Sequence, residues 1–206
     1  MHIKTSTFIR SKFAKKLPEI IEIDTEFAYI LGLWKADRCS TAKGIVGLRS
    51  KDEILLEAFR NFIKKVGLEV KERIVRGYGV TKEVYCCSMP LRRIFEYVSA
   101  NRLSLLKKGV IPAYIAGLID GDGTIVNEKG KKIIKIFYGK RDKKDTETDR
   151  KLLEKINVKA TLTILKSRNL IVLTIRELSL ISKLIFPFLM LKRKRVKIWP
   201  SETNDV

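Results

Sequence analysis

The chain has 206 residues, 45% of them hydrophobic, with 43 Lys and Arg against 23 Asp and Glu, a formal net charge of +20. That length supports one large domain or two small ones with a real core, and the charge calls for a polyanionic partner, although a ribosomal-type basic protein or a solvated surface fits charge alone. His2 is the only histidine and the three cysteines (Cys39, Cys86, Cys87) form no CxxC, which argues against histidine-dependent chemistry and a disulfide framework and for a reducing compartment. No apolar run reaches the roughly 18 residues of a membrane span, and the first residues lack the apolar core of a signal peptide.

A basic arm, Met1–Asp24, opens the chain. It is followed from about Thr25 by an apolar helix that ends in Asp37. Cys39–Ser50 then holds a Lys43-Gly44 turn and a strand over Ile45–Leu48. Ile54, Leu55, Ala58, Phe59, Phe62, Ile63 and Val66 recur at helical spacing, which predicts a helix over Asp52–Val66, with Asp52 capping its start and Gly67 its end. Val70–Arg76 and Val80–Ser88 read as a hairpin around Gly77-Tyr78-Gly79, and Leu91–Ala100 as a helix. Ser104–Val110 is a short basic join.

The second half runs in the same order. A helix starts at Ile111-Pro112, with Pro at a tolerated first-turn position. Strands follow over Thr124–Asn127 and Ile133–Tyr138 around Lys129-Gly130-Lys131. Asp145–Ile156 reads as a helix, with Asn157 in the place of Gly67. Thr161–Lys166 and Leu170–Arg176 form a hairpin, and Leu178–Leu191 a last helix. Asp145, Glu147 and Asp149 read as a solvated helix face. The domains are therefore an arm over 1–24 and repeats over 25–109 and 110–206. Cutting at Gly109 leaves 22 basic and 12 acidic residues before the cut and 21 and 11 after it, so each half carries +10. The absence of Gln in a chain rich in Ile, Lys and Glu suggests a thermophilic source.

The informative feature is a repeat. Residues 27–38 read FAYILGLWKADR and residues 112–123 read PAYIAGLIDGDG, an offset of 85 positions. Small residues fall four apart in each copy, at Ala28, Gly32 and Ala36 and at Ala113, Gly117 and Gly121, on one helical face. Glycine inside a helix costs about 1 kcal/mol relative to alanine, so its placement there predicts close backbone approach of two helices. Each copy ends in an acid, Asp37 or Asp122. At helix C-termini, where an anion is disfavoured, two neighbouring carboxylates repel. Such a pair needs cations, and oxygen donors without histidine or thiolate point to Mg²⁺ or Mn²⁺. With a basic surface, this suggests metal-assisted phosphodiester hydrolysis.

Ile115-Ala-Gly-Leu-Ile-Asp-Gly-Asp-Gly123 resembles the signature of the LAGLIDADG homing endonucleases almost letter for letter. Ile30-Leu-Gly-Leu-Trp-Lys-Ala-Asp-Arg38 is a degenerate copy, with Lys35 for the first acid and Arg38 for the last glycine. Two motifs in one chain resemble the monomeric, pseudo-two-fold members. The resemblance implies an α+β fold: two pseudo-symmetric αββαββα repeats form a saddle of two antiparallel sheets, with the motif helices at the interface through Ala28, Gly32, Ala113 and Gly117. It implies Asp37 and Asp122 as metal ligands, with the carbonyls of Ala36 and Gly121 nearby. It further implies catalytic basic groups at Lys51, at Arg141 or Lys140, and at Lys192 after the Pro187-Phe-Leu-Met-Leu run, with Lys107 as the first-half counterpart.

Strands of ten residues extend roughly 33 Å, close to the turn of B-DNA at about 34 Å. DNA readers are expected at alternate strand positions: Arg38, Ser40, Lys43, Arg49, Lys71, Arg73, Arg76 and Lys82 in the first half, and Thr124, Lys135, Lys140, Thr161, Thr163, Arg168, Thr174 and Arg176 in the second. A one-residue slip would reverse the choice. The two sets agree poorly, which predicts a long asymmetric double-stranded target. The reading is a Mg²⁺-dependent, site-specific, double-strand DNA endonuclease, a monomer in a prokaryotic, archaeal cytoplasm. The alternative is a nuclease-inactive nucleic-acid-binding protein, such as an intron RNA maturase or a DNA-binding regulator.

Overall fold

The computed structural model describes residues 1–10, 17–39, 44–76 and 80–198. Two short strands, β1 (His2–Lys4) and β2 (Ile20–Glu22), pair antiparallel ahead of the first repeat. Asp24 then caps helix α1 (Thr25–Asp37), its carboxylate accepting from the Phe27 amide at 2.8 Å. Strand β3 (Ile45–Ser50) leads into α2 (Glu53–Lys65), the hairpin β4 (Lys71–Arg76) and β5 (Val80–Cys87), then α3 (Met89–Ala100) and the single turn α4 (Arg102–Leu105). The second repeat has α5 (Ile111–Asp122), β6 (Gly123–Glu128), β7 (Lys131–Gly139), α6 (Lys143–Lys155), β8 (Ala160–Leu165), β9 (Leu170–Ile175), α7 (Leu178–Leu184) and α8 (Lys192–Ile198).

The sheets are antiparallel, in order β3-β5-β4 and β6-β7-β9-β8. The first holds three strands where the repeat predicts four. Ahead of β3, Arg38 bridges Leu48, and residues 40–43 lie outside the described residues. The left-handed residues the turns require are in place: Gly67 (φ +75°) and Asn157 (φ 61°) end α2 and α6, and Lys129 and Gly130 (φ 50° and 77°) close the β6–β7 hairpin. Two expectations are corrected. The last helix does not run unbroken over 178–191. Pro187 cannot continue an α-helix, and a 3-10 turn over Phe186–Phe188 separates α7 from α8. Nor does the Asp52 carboxylate cap α2; it bonds Arg193 at 2.7 Å, while Ser50 Oγ accepts from the Asp52 amide at 3.1 Å.

The motif helices are apolar on every side. Phe27–Trp34 and Ile111–Asp120 are buried without interruption, as a helix is when it packs all round. They pack along their glycine faces. A methyl group on Gly32 would overlap the Tyr114 carbonyl, and one on Gly117 the Tyr29 carbonyl. The other helices are amphipathic and cover one face of each sheet. In the first repeat Phe27, Phe62, Phe95 and Trp34 meet at 5.2–5.9 Å between centroids, edge-on except for the tilted pair Phe27–Phe95.

Candidate active site and nucleic-acid interface

The crossing of α1 and α5 decides where the repeated acids go. Both Asp37 and Asp122 are the final residues of their helices. At the helix ends a methyl group on Gly121 would overlap the Ala36 side chain and stand 3.3 Å from Asp37 Oδ2. The two helix ends are thus held together by small residues. Burial pushes the Asp37 carboxyl up to about 6; the charge of Lys194 opposes the rise and that of Asp52 adds to it. Asp122 rises to about 7, through desolvation and then through the charge of Asp37. Asp122 is exposed by surface area, so its desolvation comes from the concave position beside α1 rather than from enclosure. It shares a cleft of about 290 Å³ with Lys35, Ala36, Arg38, Phe137 and Asp145.

A divalent ion suits this pair. The donors are hard carboxylate oxygens, and their mutual repulsion is what a cation relieves. Asp37 and Asp122 would hold it, with the carbonyls of Ala36 and Gly121 beside them. Among the described residues no group of three or more His, Cys, Asp or Glu forms a metal cluster. The two carboxylates would supply part of an oxygen shell for such an ion, with water able to supply the rest.

Lys194, which the sequence did not single out, is the cation beside the acids. From α8 its ammonium bonds the Ile119 carbonyl and, at 2.8 Å, the Asp120 carbonyl at the end of α5, and its charge lowers both Asp37 and Asp122. Lys192, two residues earlier, is exposed at the start of α8. Two residues along α8 rotate the side chain by about 200°, onto the opposite face, so a motif-based count that lands on Lys192 misses Lys194 by geometry alone. Lys51 is exposed just before Asp52, whose charge reaches Asp37, so that segment does border the acids. Lys107 is exposed ahead of α5, and Lys140 is exposed in the 3-10 turn after β7. The Arg141 side chain lies outside the described residues.

Positions equivalent by the 85-residue offset have diverged. Tyr29 donates to Asp120 Oδ2 at 2.8 Å across the helix pair, and the Met190 amide does so at 2.7 Å. Tyr114 instead donates to Asp149 Oδ1 at 2.8 Å, and Lys35, the counterpart of Asp120, pairs with Asp145 at 3.0 Å. Asp149 is therefore not on a solvated face. It is fully buried, bonded by Arg102 Nε at 2.6 Å and by the Tyr138 hydroxyl at 3.2 Å as well. The acidic run hides this, because its spacing does not say which side of α6 meets the core.

In an antiparallel sheet, residues directly opposite share a face. The rows Arg49–Glu83–Arg73 and Tyr85–Lys71 lie on the open face of the first sheet. Lys82 and Arg76 lie on the other. Lys82 bonds Glu53 of α2 at 2.9 Å, and Arg76 shares its face with Glu72, which bonds Arg60 of α2 at 2.8 Å. The expectation that Lys82 and Arg76 face the groove is corrected by that one-residue slip. In the second sheet Thr124, Lys135, Thr174 and Thr161 form one row, and Thr163 lies two residues on, on the same open face. Arg176 joins them through Glu128 at 3.3 Å. Arg168 stands in the β8–β9 turn, Arg38 lies over the Trp34 ring at 5.6 Å, and Ser40 and Lys43 lie outside the described residues.

Residues 109–184 match the family model of the LAGLIDADG-like domain. The chain superposes on I-DmoI in complex with DNA and Mn with a TM-score of 0.60 at 23% identity, covering 81% of this chain and 97% of that one. It superposes on the N-terminal LAGLIDADG domain of DUF199/WhiA with a TM-score of 0.59 at 15% identity, covering 92% and 91%. At these identities the likeness establishes the fold. Over 143 residues the chain is 27% identical to DNA-directed RNA polymerase subunit Rpo1C of Methanocaldococcus jannaschii, and spans 16% of that protein's length.

Proposed function

We propose that this chain, whose residues 109–184 match the LAGLIDADG-like domain and whose fold is like that of I-DmoI, is a site-specific double-strand DNA endonuclease. The observation that carries the reading is the meeting of Asp37 and Asp122 at the closely packed ends of the glycine-faced helices. The same fold occurs in WhiA, so the fold alone does not carry an activity; the paired acids favour hydrolysis over binding without cleavage. A bound Mg²⁺, or Mn²⁺ in its place, would stabilise charge developing on a phosphate. The protein's part is to hold the two carboxylates together and to set Lys194 against them. The basic open faces of both sheets support binding along a duplex.

The differing open faces, guanidinium-rich on the first sheet and threonine-rich on the second, support an asymmetric target read by one chain. We take the protein to act as a monomer in a thermophilic, archaeal cytoplasm; no helix among the described residues is long and apolar enough to cross a membrane. The test is incubation with Mg²⁺ and intron-less copies of candidate host genes, followed by mapping of cut ends. Asp37→Asn and Asp122→Asn each abolish cleavage while DNA binding in Ca²⁺ survives. Full cleavage by both variants ends the nuclease reading, and stimulated intron RNA splicing without a DNA cut favours the maturase alternative.

A further inference from the structure

Each sheet carries one glutamate on its open face, and each glutamate is gripped by two of the cations placed there. Glu83 of β5 is fully buried, between Arg49 of β3 and Arg73 of β4. Arg49 spends both Nε, at 2.6 Å, and Nη2 on the same oxygen, Oε1; Arg73 donates only its Nε, to Oε2. In the second sheet Glu128 of β6 is bonded by Lys135 and by Arg176. An acid on a face meant for a polyanion weakens the attraction, so the presence of Glu83 at the centre of the row Arg49–Glu83–Arg73, and of Glu128 at the end of β6, needs a reason beyond charge.

The bond pattern supplies one. An arginine has five N–H donors in a planar fork. With Nε tied to Glu83, the Arg73 guanidinium is fixed in plane, and among the described residues its two terminal nitrogens bond nothing. The Tyr85 ring lies beneath it at 5.4 Å. That free terminal edge is the pair of donors that meets O6 and N7 of guanine in the major groove. Arg49 has less left to offer, since two of its three nitrogens already serve Glu83.

We propose that Glu83 is a specificity-determining residue: it holds Arg73 with its terminal edge presented to a guanine in the first half of the DNA site. The proposal rests on the DNA-binding reading above. Glu83 touches no base itself and acts by positioning. Glu128 also holds two cations in the second half, but in a more exposed setting, through the terminal Nη1 of Arg176 rather than its Nε and with a lysine that has no planar fork, so it leaves no free guanidinium edge of this kind.

The test uses the full chain and a randomised double-stranded DNA pool, selected by binding with Ca²⁺ replacing Mg²⁺ and read by sequencing. The unaltered chain enriches a guanine at one position of one half-site. Glu83→Gln lowers the preference at that position by roughly 5- to 150-fold, the discrimination a bidentate pair supplies, and leaves other positions as they were. Its affinity for unselected DNA holds or rises, and the salt dependence steepens as the freed arginines find phosphates. Arg73→Lys keeps the charge and the partner but lacks the fork. It loses the same preference, which keeps the proposal testable should Glu83→Gln fold poorly. Glu128→Gln alters only the other half-site. If the unaltered chain enriches a sequence and both Glu83→Gln and Arg73→Lys retain it in full, the proposal fails and DNA binding stands. If the unaltered chain enriches nothing, the DNA-binding reading falls and takes the proposal with it.

Discussion

Asp37 and Asp122 have carboxyls raised from the ordinary 3.8 to about 6 and about 7. Folded pKa values above the unfolded one mean that the native state keeps protons the unfolded chain has already released. Their contribution to stability is therefore full below about pH 4, declines between about pH 4 and 7, and stays low above that. Asp122→Asn removes the share that belongs to Asp122 and leaves that of Asp37, which comes first from burial. In chelator, the difference in Tm between variant and unaltered protein grows from pH 5 to pH 8, reaching about 2–4 °C for an effect on the order of 1 kcal/mol after discounting for solvent screening. Mg²⁺ at pH 8 stabilises the unaltered chain more than the variant. Calorimetry across pH checks this, and a Tm difference independent of pH contradicts it. Both acids were legible in the sequence, because a motif fixes them to the end of a helix. Lys194 was not, since its neighbourhood depends on how α8 returns to α5 after the break at Pro187.

The helix pair is the element whose chemistry the sequence states most openly. Glycines four apart in two copies of one apolar helix have few other uses, and Gly32 and Gly117 each face a carbonyl of the partner helix. Gly32→Ala or Gly117→Ala forces the backbones apart, at a cost of at least about 2 kcal/mol by overpacking. Thermal unfolding should show a fall in Tm of about 4–8 °C. Gly109→Ala, whose methyl group meets nothing within 4 Å, is the control and stays within about 0.5 kcal/mol. A Gly117→Ala protein as stable as the control would mean that the helices do not meet through these faces. Strand faces were half legible. Lys135, Thr124, Thr161, Thr163 and Thr174 share the open face, but Arg76 and Lys82 do not. A polar strand with charges on both sides gives alternation no apolar reference, and only α2, whose Glu53 and Arg60 engage that face, settles it.

At the scale of the whole molecule the question is whether the repeats are one body. Arg102 lies between them, buried, and its guanidinium bonds Asp149 and the Asp145 carbonyl of α6, while Lys35 of α1 reaches Asp145. Arg193 of α8 returns to Asp52 ahead of α2. Ties thus run from each repeat into the other, on both sides of the α1–α5 crossing. Removing one partner of a buried pair costs about 3–5 kcal/mol, because the remaining charge is stranded. Arg102→Met strands Asp149 with only tyrosine hydroxyls, and in a chain of 206 residues lowers Tm by roughly 6–20 °C. If the ties join the repeats into one cooperative unit, the loss appears as a single calorimetric transition moving down intact. Two resolved transitions, with only the second repeat's moving, would show that the halves fold separately and that Asp37 and Asp122 are brought together by docking rather than by folding.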